Sequence, residues 1–398
     1  IPVGMPLMDE YGGHRPGANL YGNSLVALDA KTGQRKWHFQ MVHHDIWDYD
    51  TPMAPNLLDV TVNGQRRNLL AQTTKQGWIY VFDRLTGEPI WPIVETPVPQ
   101  SEVPGEKTSP TQPIPTRPAP YAQQGLVESD LIDFTTAIKD SALKLAKQCR
   151  MGPYYIPPSL ANEPSASGYH CSWYAPGASG GVNIDGGGAA DPETGMLYVA
   201  SQSGLSTIQV QKDPCSEHRY SQPHDSCGLP GAVPPPPGYK KAEIGPAFGS
   251  RNPSIGEVSI FKFKEFGGIT AYDMSSGDKK WWVPNGNLWR EVTTIDSLFA
   301  GITLPKIPAL GGQAEVITTK TLVIHGTGRS GARLLRAGTP NPPRLWAFDK
   351  ATGKQVGAVD IPAVNTAVPM TFMHAGKQYV VFAAGQGSNT QLIALALP

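Results

Sequence analysis

The sequence predicts an all-β fold assembled from repeated β-hairpins, and three observations carry this prediction. One hairpin motif recurs four times, apolar or alternating runs separate its copies, and turn-forming residues are spread along the whole chain. Gly (43) and Pro (39) together make up about a fifth of the 398 residues, a composition typical of many short turns. The apolar content of 40%, with nine Trp, 14 Tyr and 11 Phe, is sufficient for a large buried core.

The recurring motif is an Asp, followed by Thr-Gly or Ser-Gly three and four residues later and by Trp eight residues later. Complete copies begin at Asp29, Asp83 and Asp273, and a fourth copy, from Asp349, has Gly357 in place of Trp. Because Asp can cap a tight turn and Gly supplies its positive φ, we expect each copy to join two antiparallel strands. Repeated hairpins of this kind are typical of β-propellers and solenoids.

Strand-like runs extend this pattern between the copies, and two irregular segments interrupt it. The runs, which are apolar or alternating and end at turn residues, lie at residues 68–82, 195–201, 316–325 and 378–384. Within a single domain over residues 1–398, Pro-rich composition predicts insertions at 92–150 and 211–255. Apolar residues at helical spacing predict one amphipathic surface helix from Ser129 to Gln148, on the first insertion.

Charge and hydropathy limit the kinds of partner. Lys plus Arg equals Asp plus Glu at 33 each, so the chain has no electrostatic footprint for nucleic acid or an acidic membrane, and a small-molecule partner is expected. No apolar run reaches the roughly 18 to 20 residues that span a bilayer. Because the first residue is Ile1 rather than Met, we expect that an N-terminal part has been removed.

Four cysteines, at 149, 171, 215 and 227, allow three disulfide pairings. Each of the pairs 149/171 and 215/227 brackets a Pro-rich loop, which favours two local disulfides. Spacings of 22 and 12 without a Cys-x-x-Cys motif are not typical of zinc sites. An oxidising compartment is therefore expected.

Residues 43–50, His-His-Asp-Ile-Trp-Asp-Tyr-Asp, are the stretch with the highest density of chemically active side chains, in a chain that is only 17% charged. If this stretch is extended, alternation places Asp48 and Asp50 on one side and Trp47 and Tyr49 on the other. The carboxylates can then meet a cation or a reacting hydroxyl while the aromatic rings pack. The alternative is an acidic turn around a buried Trp.

Two adjacent imidazoles open the same stretch. Histidine is the commonest metal ligand, but neighbouring side chains of an extended strand point to opposite faces. We therefore expect His43 and His44 to give hydrogen-bonded support rather than to bind one metal ion together.

The repeat and four further segments resemble the PQQ-dependent quinoprotein dehydrogenases, most closely the branch of the membrane-bound glucose dehydrogenases. The tryptophan-docking motif of that family has the same Asp, Thr-Gly and Trp spacing. The other segments that resemble the branch lie at residues 42–48, 110–113, 152–159 and 376–381. The resemblance implies an eight-bladed propeller of four-stranded antiparallel sheets, of which this chain holds about five blades, with the first blades expected upstream of Ile1.

The resemblance also implies cofactors, pyrroloquinoline quinone (PQQ) and Ca²⁺, and the residues that serve them. Asp48 corresponds to the catalytic base and a Ca²⁺ ligand, Lys75 to the basic residue beside the quinone, and Asn183 to the floor of the cofactor pocket. Asp48 would take the proton of a substrate hydroxyl while hydride passes to the quinone, and Ca²⁺ and Lys75 would polarise the quinone oxygen. Gln386 is a candidate substrate-pocket residue, standing in Gly-Gln-Gly where glucose-oxidising members have Gly-Gly-His-Gly, which argues against glucose.

Together these residues predict a periplasmic dehydrogenase that oxidises an alcohol, polyol or sugar hydroxyl and passes electrons to a quinone or to cytochrome c. A separate N-terminal portion of the propeller is a further candidate partner. A long Arg/Gly/Pro stretch at 326–343 replaces a family segment, so access to the site is expected to differ. The alternatives are an inactive proteolytic fragment and a non-catalytic assembly propeller, which would have no use for residues 43–50 or for Lys75.

Overall fold

The computed structural model describes residues 1–398 except 8, 162–165, 178–179, 183–185, 217, 219, 222–226, 228–231, 239–252, 263–266, 286–287, 291, 305–306, 310–314, 329–341, 386 and 397–398. Within the described residues the chain forms 26 β-strands, one α-helix and three short 3-10 helices. The strands pair in small sheets that are almost entirely antiparallel, which confirms the predicted all-β class. No helix in this part of the chain is long and apolar enough to cross a membrane.

In chain order the strands are β1 (Ser24–Leu28), β2 (Arg35–Gln40), β3 (Asn56–Val62), β4 (Gln65–Thr73), β5 (Ile79–Asp83), β6 (Ile93–Pro97), β7 (Thr111–Pro115), β8 (Ser159–Leu160), β9 (Ser172–Tyr174), β10 (Gly188–Asp191), β11 (Met196–Gln202), β12 (Ser206–Lys212), β13 (Tyr220–Ser221), β14 (Ser254–Ile255), β15 (Val258–Ser259), β16 (Gly267–Asp273), β17 (Asp278–Pro284), β18 (Leu288–Arg290), β19 (Ile307–Ala309), β20 (Val316–Thr318), β21 (Leu322–Gly326), β22 (Arg344–Asp349), β23 (Gln355–Asp360), β24 (Met370–His374), β25 (Lys377–Ala384) and β26 (Gln391–Ala396). The α-helix, α1, spans Thr136–Ala146, and the 3-10 helices span Glu128–Asp130, Ser297–Phe299 and Gly387–Asn389.

Five antiparallel sheets repeat one plan. Their strand orders are β1-β2, β3-β4-β5, β10-β11-β16-β17, β20-β21-β22-β23 and β24-β25-β26. In both four-stranded sheets the last two strands are joined by a copy of the hairpin motif, at Asp273 and at Asp349. This is the four-stranded antiparallel blade that the family resemblance implies.

Segments outside these sheets lie where the chain leaves the repeat. Because β11 pairs directly with β16, the described residues between Gln202 and Gly267 are not part of that sheet. There β12 pairs with β9 and β13 antiparallel and with β8 parallel. The β6-β7 hairpin and α1 fall within the predicted insertion at 92–150, and β13 and β14 within that at 211–255; the exact limits of both insertions stay predictions.

Each hairpin turn is built by its own Asp. Asp29 Oδ1 accepts hydrogen bonds from the backbone N–H groups of Lys31 (3.1 Å) and Thr32 (3.0 Å), and Gly33 takes a left-handed conformation with φ +71°. The carboxylate thus replaces partners that the turn backbone would otherwise lack. The predicted hairpins form for this local reason.

The Trp of one copy packs against the Gly of the next copy. A Cβ atom at Gly87 would lie 2.6 Å from the Trp37 ring, and Trp37 Nε1 donates a hydrogen bond to the backbone oxygen of Arg84 (3.2 Å). The same close approach joins two further pairs, Trp91 with Gly277 and Trp281 with Gly353. The motif therefore needs Gly both for the positive φ and for the contact. At Gly357, where the fourth copy lacks Trp, a Cβ atom would have no described residue within 4 Å apart from its two chain neighbours.

Two strand-like runs contain a turn that the pattern did not show. Residues 68–82 divide between β4 and β5, and 316–325 divide between β20 and β21. In the first run Gly77 takes φ +84° and its N–H donates to the oxygen of Thr74 (3.1 Å). Lys75 lies within this turn, between two buried strands.

The helix α1 is shorter than predicted at its N-terminal end. Thr135 caps it by accepting a hydrogen bond from the N–H of Ile138, whereas the earlier residue Ile132 donates its N–H to Ile260 (2.8 Å). Residues 129–135 are thus used for a tertiary contact and a cap. The predicted apolar face is confirmed, because α1 buries Ile138, Ala142 and Ala146.

Both disulfides join cysteines that are near in sequence, Cys149–Cys171 and Cys215–Cys227. This confirms the local pairing among the three that were possible. The first disulfide lies in a core cluster with α1 and Trp173, and Trp173 Nε1 donates a hydrogen bond to Ala146 at the end of the helix (2.9 Å).

Candidate active site

Residues 43–50, which follow β2, form a loop rather than an extended segment. His44 and Asp48 take left-handed backbone conformations, with φ +47° and +58°. Such a conformation costs a residue with a Cβ atom about 1–2 kcal/mol, so surrounding contacts must hold the loop in this shape. The side chains are oriented by those contacts and not by strand alternation.

The buried side chain of Asp45 holds this loop through hydrogen bonds to its backbone. Its Oδ1 accepts a hydrogen bond from the N–H of Trp47 (2.8 Å) and its Oδ2 from the N–H of Tyr49 (2.9 Å). Asn23 Nδ2 donates to Asp45 Oδ2 (2.8 Å) and to the oxygen of Tyr49 (3.0 Å). Burial raises the pKa of Asp45 to about 6, and these hydrogen bonds oppose the rise.

Asp48 and Asp50 face one lysine. Lys75 Nζ lies 2.8 Å from Asp48 Oδ1 and 3.4 Å from Asp50 Oδ2. The Lys75 side chain is 8% exposed and that of Asp48 is 24% exposed, so the ammonium is covered while the carboxylate can be reached. The two carboxylates lie together, as alternation would also have placed them, although here a loop brings them there.

The carboxyl group of Asp48 has a pKa near neutral pH. Burial raises its pKa to about 7; the Lys75 ammonium opposes the rise, and the negative charges of Asp9 and Asp50 add to it. A carboxyl group with a pKa close to the working pH can accept a proton and release it again, which a general base must do.

The turn that carries Lys75 is fixed by a tyrosine that the sequence did not point to. The Tyr121 hydroxyl accepts a hydrogen bond from the N–H of Thr74 (2.7 Å) and donates to the oxygen of Thr74 (2.5 Å). Gly181 packs against this turn so closely that a Cβ there would lie 2.1 Å from the Lys75 oxygen. Gly181, the second glycine of the Gly-Gly pair before the predicted Asn183, therefore lies against the Lys75 backbone.

Aromatic side chains pack behind the loop. Trp47 and Tyr49 are buried, and each is tied to a distant backbone oxygen, Trp47 Nε1 to that of Ile156 and the Tyr49 hydroxyl to that of Pro176, both at 2.8 Å. Tyr155 packs edge-on against both rings. This is the packing role predicted for the aromatic pair.

His44 belongs to a buried pair with a glutamate. Its Nε2 lies 2.6 Å from Glu106 Oε1, and both side chains are 1% exposed; its Nδ1 bonds to the oxygen of Gly17 (2.7 Å). Burial alone would raise the pKa of Glu106, but hydrogen bonds from His44 and from the N–H of Gly12 hold it below the ordinary value. Glu106 gave no sequence signal, since it lies in an irregular stretch.

His43 is held by Gln112. The Gln112 amide accepts from the N–H of His43 (2.9 Å) and donates to its oxygen (2.7 Å). The His43 ring nitrogens bond to Gln40 (2.8 Å) and Glu95 (3.0 Å). The hydrogen-bonded support predicted for the histidines is thus present at both rings. Gln112 lies within segment 110–113, which the family resemblance singled out. The resemblance did not predict the contact of Gln112 with His43.

Two predicted site residues, Asn183 and Gln386, lie outside the described residues, as does most of the stretch 326–343. The structure therefore brings together Asp48 and Lys75 of the predicted set and adds Asp50 to them.

The donor set beside Lys75 fits a hard cation. Asp48 and Asp50 offer carboxylate oxygens, the ligand type that Ca²⁺ prefers, although the ion takes about six to eight oxygens in all. Thr73 Oγ1, two residues before Lys75, is buried without a hydrogen-bond partner in the described part of the chain. The Lys75 ammonium beside the two carboxylates suits an anionic cofactor. Ca²⁺ and PQQ are therefore compatible with the residues present.

A protein-family model described as "PQQ: Glucose/ethanol/alcohol dehydrogenase, beta-propeller domain" matches residues 1–380. The chain belongs to this family. The predicted resemblance to the PQQ-dependent dehydrogenases is thereby confirmed, and with it the propeller fold.

Curated relatives of this PQQ-family chain are quinoprotein dehydrogenases. Over its whole length the chain is 31% identical to the probable quinate dehydrogenase (quinone) of Xanthomonas campestris pv. juglandis and covers 48% of that protein. It is 30% identical to the quinoprotein glucose dehydrogenase of Escherichia coli (strain K12), again over its whole length, and covers 47% of it. The chain thus spans about half the length of the curated relatives that it matches.

Solved structures of PQQ-family enzymes share the fold. The quinohemoprotein alcohol dehydrogenase from Comamonas testosteroni superposes with a TM-score of 0.50 at 21% identity, covering 94% of this chain and 40% of that one. A europium-containing methanol dehydrogenase gives 0.52 at 18% identity, covering 93% and 46%. At these identities the likeness establishes the fold alone.

Proposed function

We propose that this chain carries the catalytic base of a PQQ-dependent dehydrogenase that oxidises the hydroxyl group of an alcohol, a polyol, a sugar or a hydroxy acid such as quinate. The observation that carries the proposal is the contact of Asp48 with Lys75, 2.8 Å between Oδ1 and Nζ. Family membership supports the cofactor class. Two relatives named for quinate, one of them the quinate/shikimate dehydrogenase (quinone) of Acinetobacter baylyi, motivate the hydroxy acid.

In this mechanism Asp48 accepts the proton of the substrate hydroxyl. Its partial exposure lets a substrate oxygen reach the carboxylate, and its raised pKa matches proton transfer near neutral pH. When bound, PQQ would supply an electrophilic quinone as the hydride acceptor. Lys75, covered and fixed by its turn, orients Asp48 and places positive charge where negative charge develops. Trp47 and Tyr49 close the loop behind Asp48 and keep water from that side.

Asp48 and Asp50 would hold the cation. We propose Ca²⁺, which would act as a Lewis acid beside the base. Since one structural neighbour is described as containing europium, a trivalent hard cation is the informative comparison. Affinity for both ions is expected to fall when Asp50 is replaced by Ala, because a carboxylate ligand is lost.

The test uses the full-length protein that contains this chain. It is loaded with PQQ and with Ca²⁺ or Eu³⁺, and dye reduction is measured with quinate, glycerol, an aliphatic alcohol and an aldose. Turnover with at least one hydroxyl compound, dependent on both PQQ and the cation, is expected. PQQ that binds, as read by its absorbance, without any turnover would point to the non-catalytic propeller instead. Lack of PQQ binding would remove the proposal altogether.

Location and partners complete the proposal. The two disulfides support an oxidising compartment, for which we propose the periplasm. A quinone or cytochrome c would receive the electrons, and an N-terminal portion of the propeller would join this chain. Reduction of a soluble quinone analogue and of cytochrome c by the loaded enzyme distinguishes the two acceptors.

A further inference from the structure

Two backbone N–H groups flank Asp48, and one carboxylate binds both. Asp45 Oδ1 accepts from Trp47, the residue before Asp48, and Oδ2 accepts from Tyr49, the residue after it, at 2.8 and 2.9 Å. Asp48, between them, has the left-handed φ of +58°. The carboxylate of Asp45 thus binds the backbone on both sides of the strained residue.

Asp45 is itself fixed by contacts from other parts of the fold. It is 1% exposed, its Oδ2 also accepts from Asn23 (2.8 Å), and its backbone oxygen accepts from Arg15 Nη2 (2.6 Å). Side chain and main chain are therefore both immobilised. A rigid acceptor with charge-assisted hydrogen bonds is suited to hold a loop that its own backbone preferences would not choose.

The hairpin turns show what the same chemistry does elsewhere. Asp29 also accepts two backbone N–H groups, those of Lys31 and Thr32, but it lies at the surface and no reactive group stands between its partners. Asp45 differs from Asp29 in its burial and in the residue that it brackets.

We propose that Asp45 is a positioning residue for Asp48: by holding the N–H groups on both sides, it keeps the Asp48 carboxylate at Lys75. The effect of Asp45 on the Asp48–Lys75 ion pair does not depend on the proposed function. The effect of Asp45 on turnover rests on the proposed function.

The first measurement needs neither cofactor nor turnover. Lys75 Nζ is covered and paired with Asp48, so acetic anhydride should modify it slowly, and mass spectrometry can follow Lys75 alone. Asp45→Ala is expected to raise its rate of acetylation several-fold, because the Asp48 carboxylate moves away. Asp29→Ala, the matched control, removes the same type of turn contact and should leave Lys75 as slow as in the wild type.

The second measurement separates positioning from simple loss of structure. In the enzyme loaded with PQQ and Ca²⁺, Asp45→Ala should lower kcat by about a hundredfold, the effect of a misplacement of about 1 Å, with little change in KM. Asp29→Ala should leave both constants unchanged. If the wild type has no turnover, the acetylation result still decides the positioning role, so the two proposals fail separately.

Three results would overturn the inference. The first is a rate of Lys75 acetylation in the folded Asp45→Ala variant that equals the rate in the wild type. If that variant does not fold, Asp45→Asn takes its place; it keeps one acceptor but turns an NH2 group toward a donor, and unchanged acetylation there is equally decisive. The third is fast hydrogen exchange of the Trp47 and Tyr49 amides in the wild-type protein, since both amides must be protected if Asp45 holds them.

Discussion

The hairpin turn at Asp29 and the loop at Asp45 use one device in two environments. In both, an Asp side chain accepts hydrogen bonds from backbone N–H groups a few residues further along. At the surface, hydrogen bonds from Thr32 hold the pKa of Asp29 below its ordinary value. In the interior, burial outweighs such bonds and raises the pKa of Asp45 to about 6.

The difference shows that hydrogen bonds to an Asp side chain fix the backbone conformation in both regions, whereas burial raises the pKa of a carboxyl group only in the loop. Asp29 is stabilised as an anion by its turn and by water. Asp48, in the buried loop, is a carboxylate whose charge is costly, because desolvation raises its pKa to about 7. The four hairpins build the scaffold, and the loop uses the same residue type as a candidate base.

The largest effect is expected from Asp48→Asn. The amide keeps the size of the side chain but cannot take a proton, so kcat of the loaded enzyme should fall by about 10²- to 10⁴-fold. Dye reduction at saturating substrate measures this fall. Asp29→Asn is the control and should retain wild-type turnover. Wild-type turnover in Asp48→Asn as well would contradict the role of Asp48 as the catalytic base.

A second test removes the ring that joins two hairpins. Trp281→Ala should lower the free energy of unfolding by about 2 kcal/mol, less than the roughly 3–5 kcal/mol of a fully buried Trp, because this ring is half-buried. Urea unfolding measures it. Gly357→Ala, at the corresponding position of the copy without Trp, is the matched control, because the added Cβ meets no described residue beyond its chain neighbours. Equal effects at both positions would show that the Trp contact contributes little.

The two regions should also respond to pH in opposite directions. Because the folded-state pKa of Asp48 is raised, the folded state binds its proton more tightly than the unfolded state. Its contribution is most favourable below the unfolded pKa of about 3.9 and declines as the pH rises toward about 7. The pKa of Asp29 is lowered, so its contribution is present above the unfolded value and is lost as the pH falls.

The pH test compares two variants without PQQ or Ca²⁺. Free energies of unfolding are measured for Asp48→Asn at about pH 4.5 and about pH 7.5, and for Asp29→Asn at about pH 2.5 and about pH 5, because the contribution of Asp29 changes only near and below its unfolded pKa of about 3.9. Relative to the wild type, Asp48→Asn should gain stability between the lower and the higher pH, and Asp29→Asn should lose it. A shift of the same sign in both variants would contradict the contrast between the two regions.

The smallest effect is expected at the surface. Thr32 Oγ1 bonds to Asp29 Oδ1 (3.0 Å) in an exposed turn, and Thr32→Ala should change the free energy of unfolding by less than about 0.5 kcal/mol. Chemical denaturation suffices to measure it. A loss well above this value would show that the surface turns are as sensitive as the buried loop.

The repeats were predictable because their causes are local. The Asp, the Gly and, in the three complete copies, the Trp lie within nine residues, and the structure has the hairpins, their caps and their positive φ at these positions. The helix was predicted too long because part of its sequence makes a contact with Ile260, which spacing along the chain does not reveal. Lys75 was predicted from the family resemblance, but not the turn that divides its strand-like run.

The sequence by itself determined the all-β class, the hairpin repeat, the apolar face of α1 and the residues from which a site is made. Only the tertiary structure decided how those residues meet. Asp48 contacts Lys75, 27 residues away, because hydrogen bonds with Asp45 and Asn23 hold the loop in which Asp48 has a left-handed backbone conformation. Glu106 and Tyr121 come from segments without a sequence signal. Hairpins depend on neighbours along the chain, whereas the charge state of a carboxylate depends on burial and on groups that only the folded chain brings beside it.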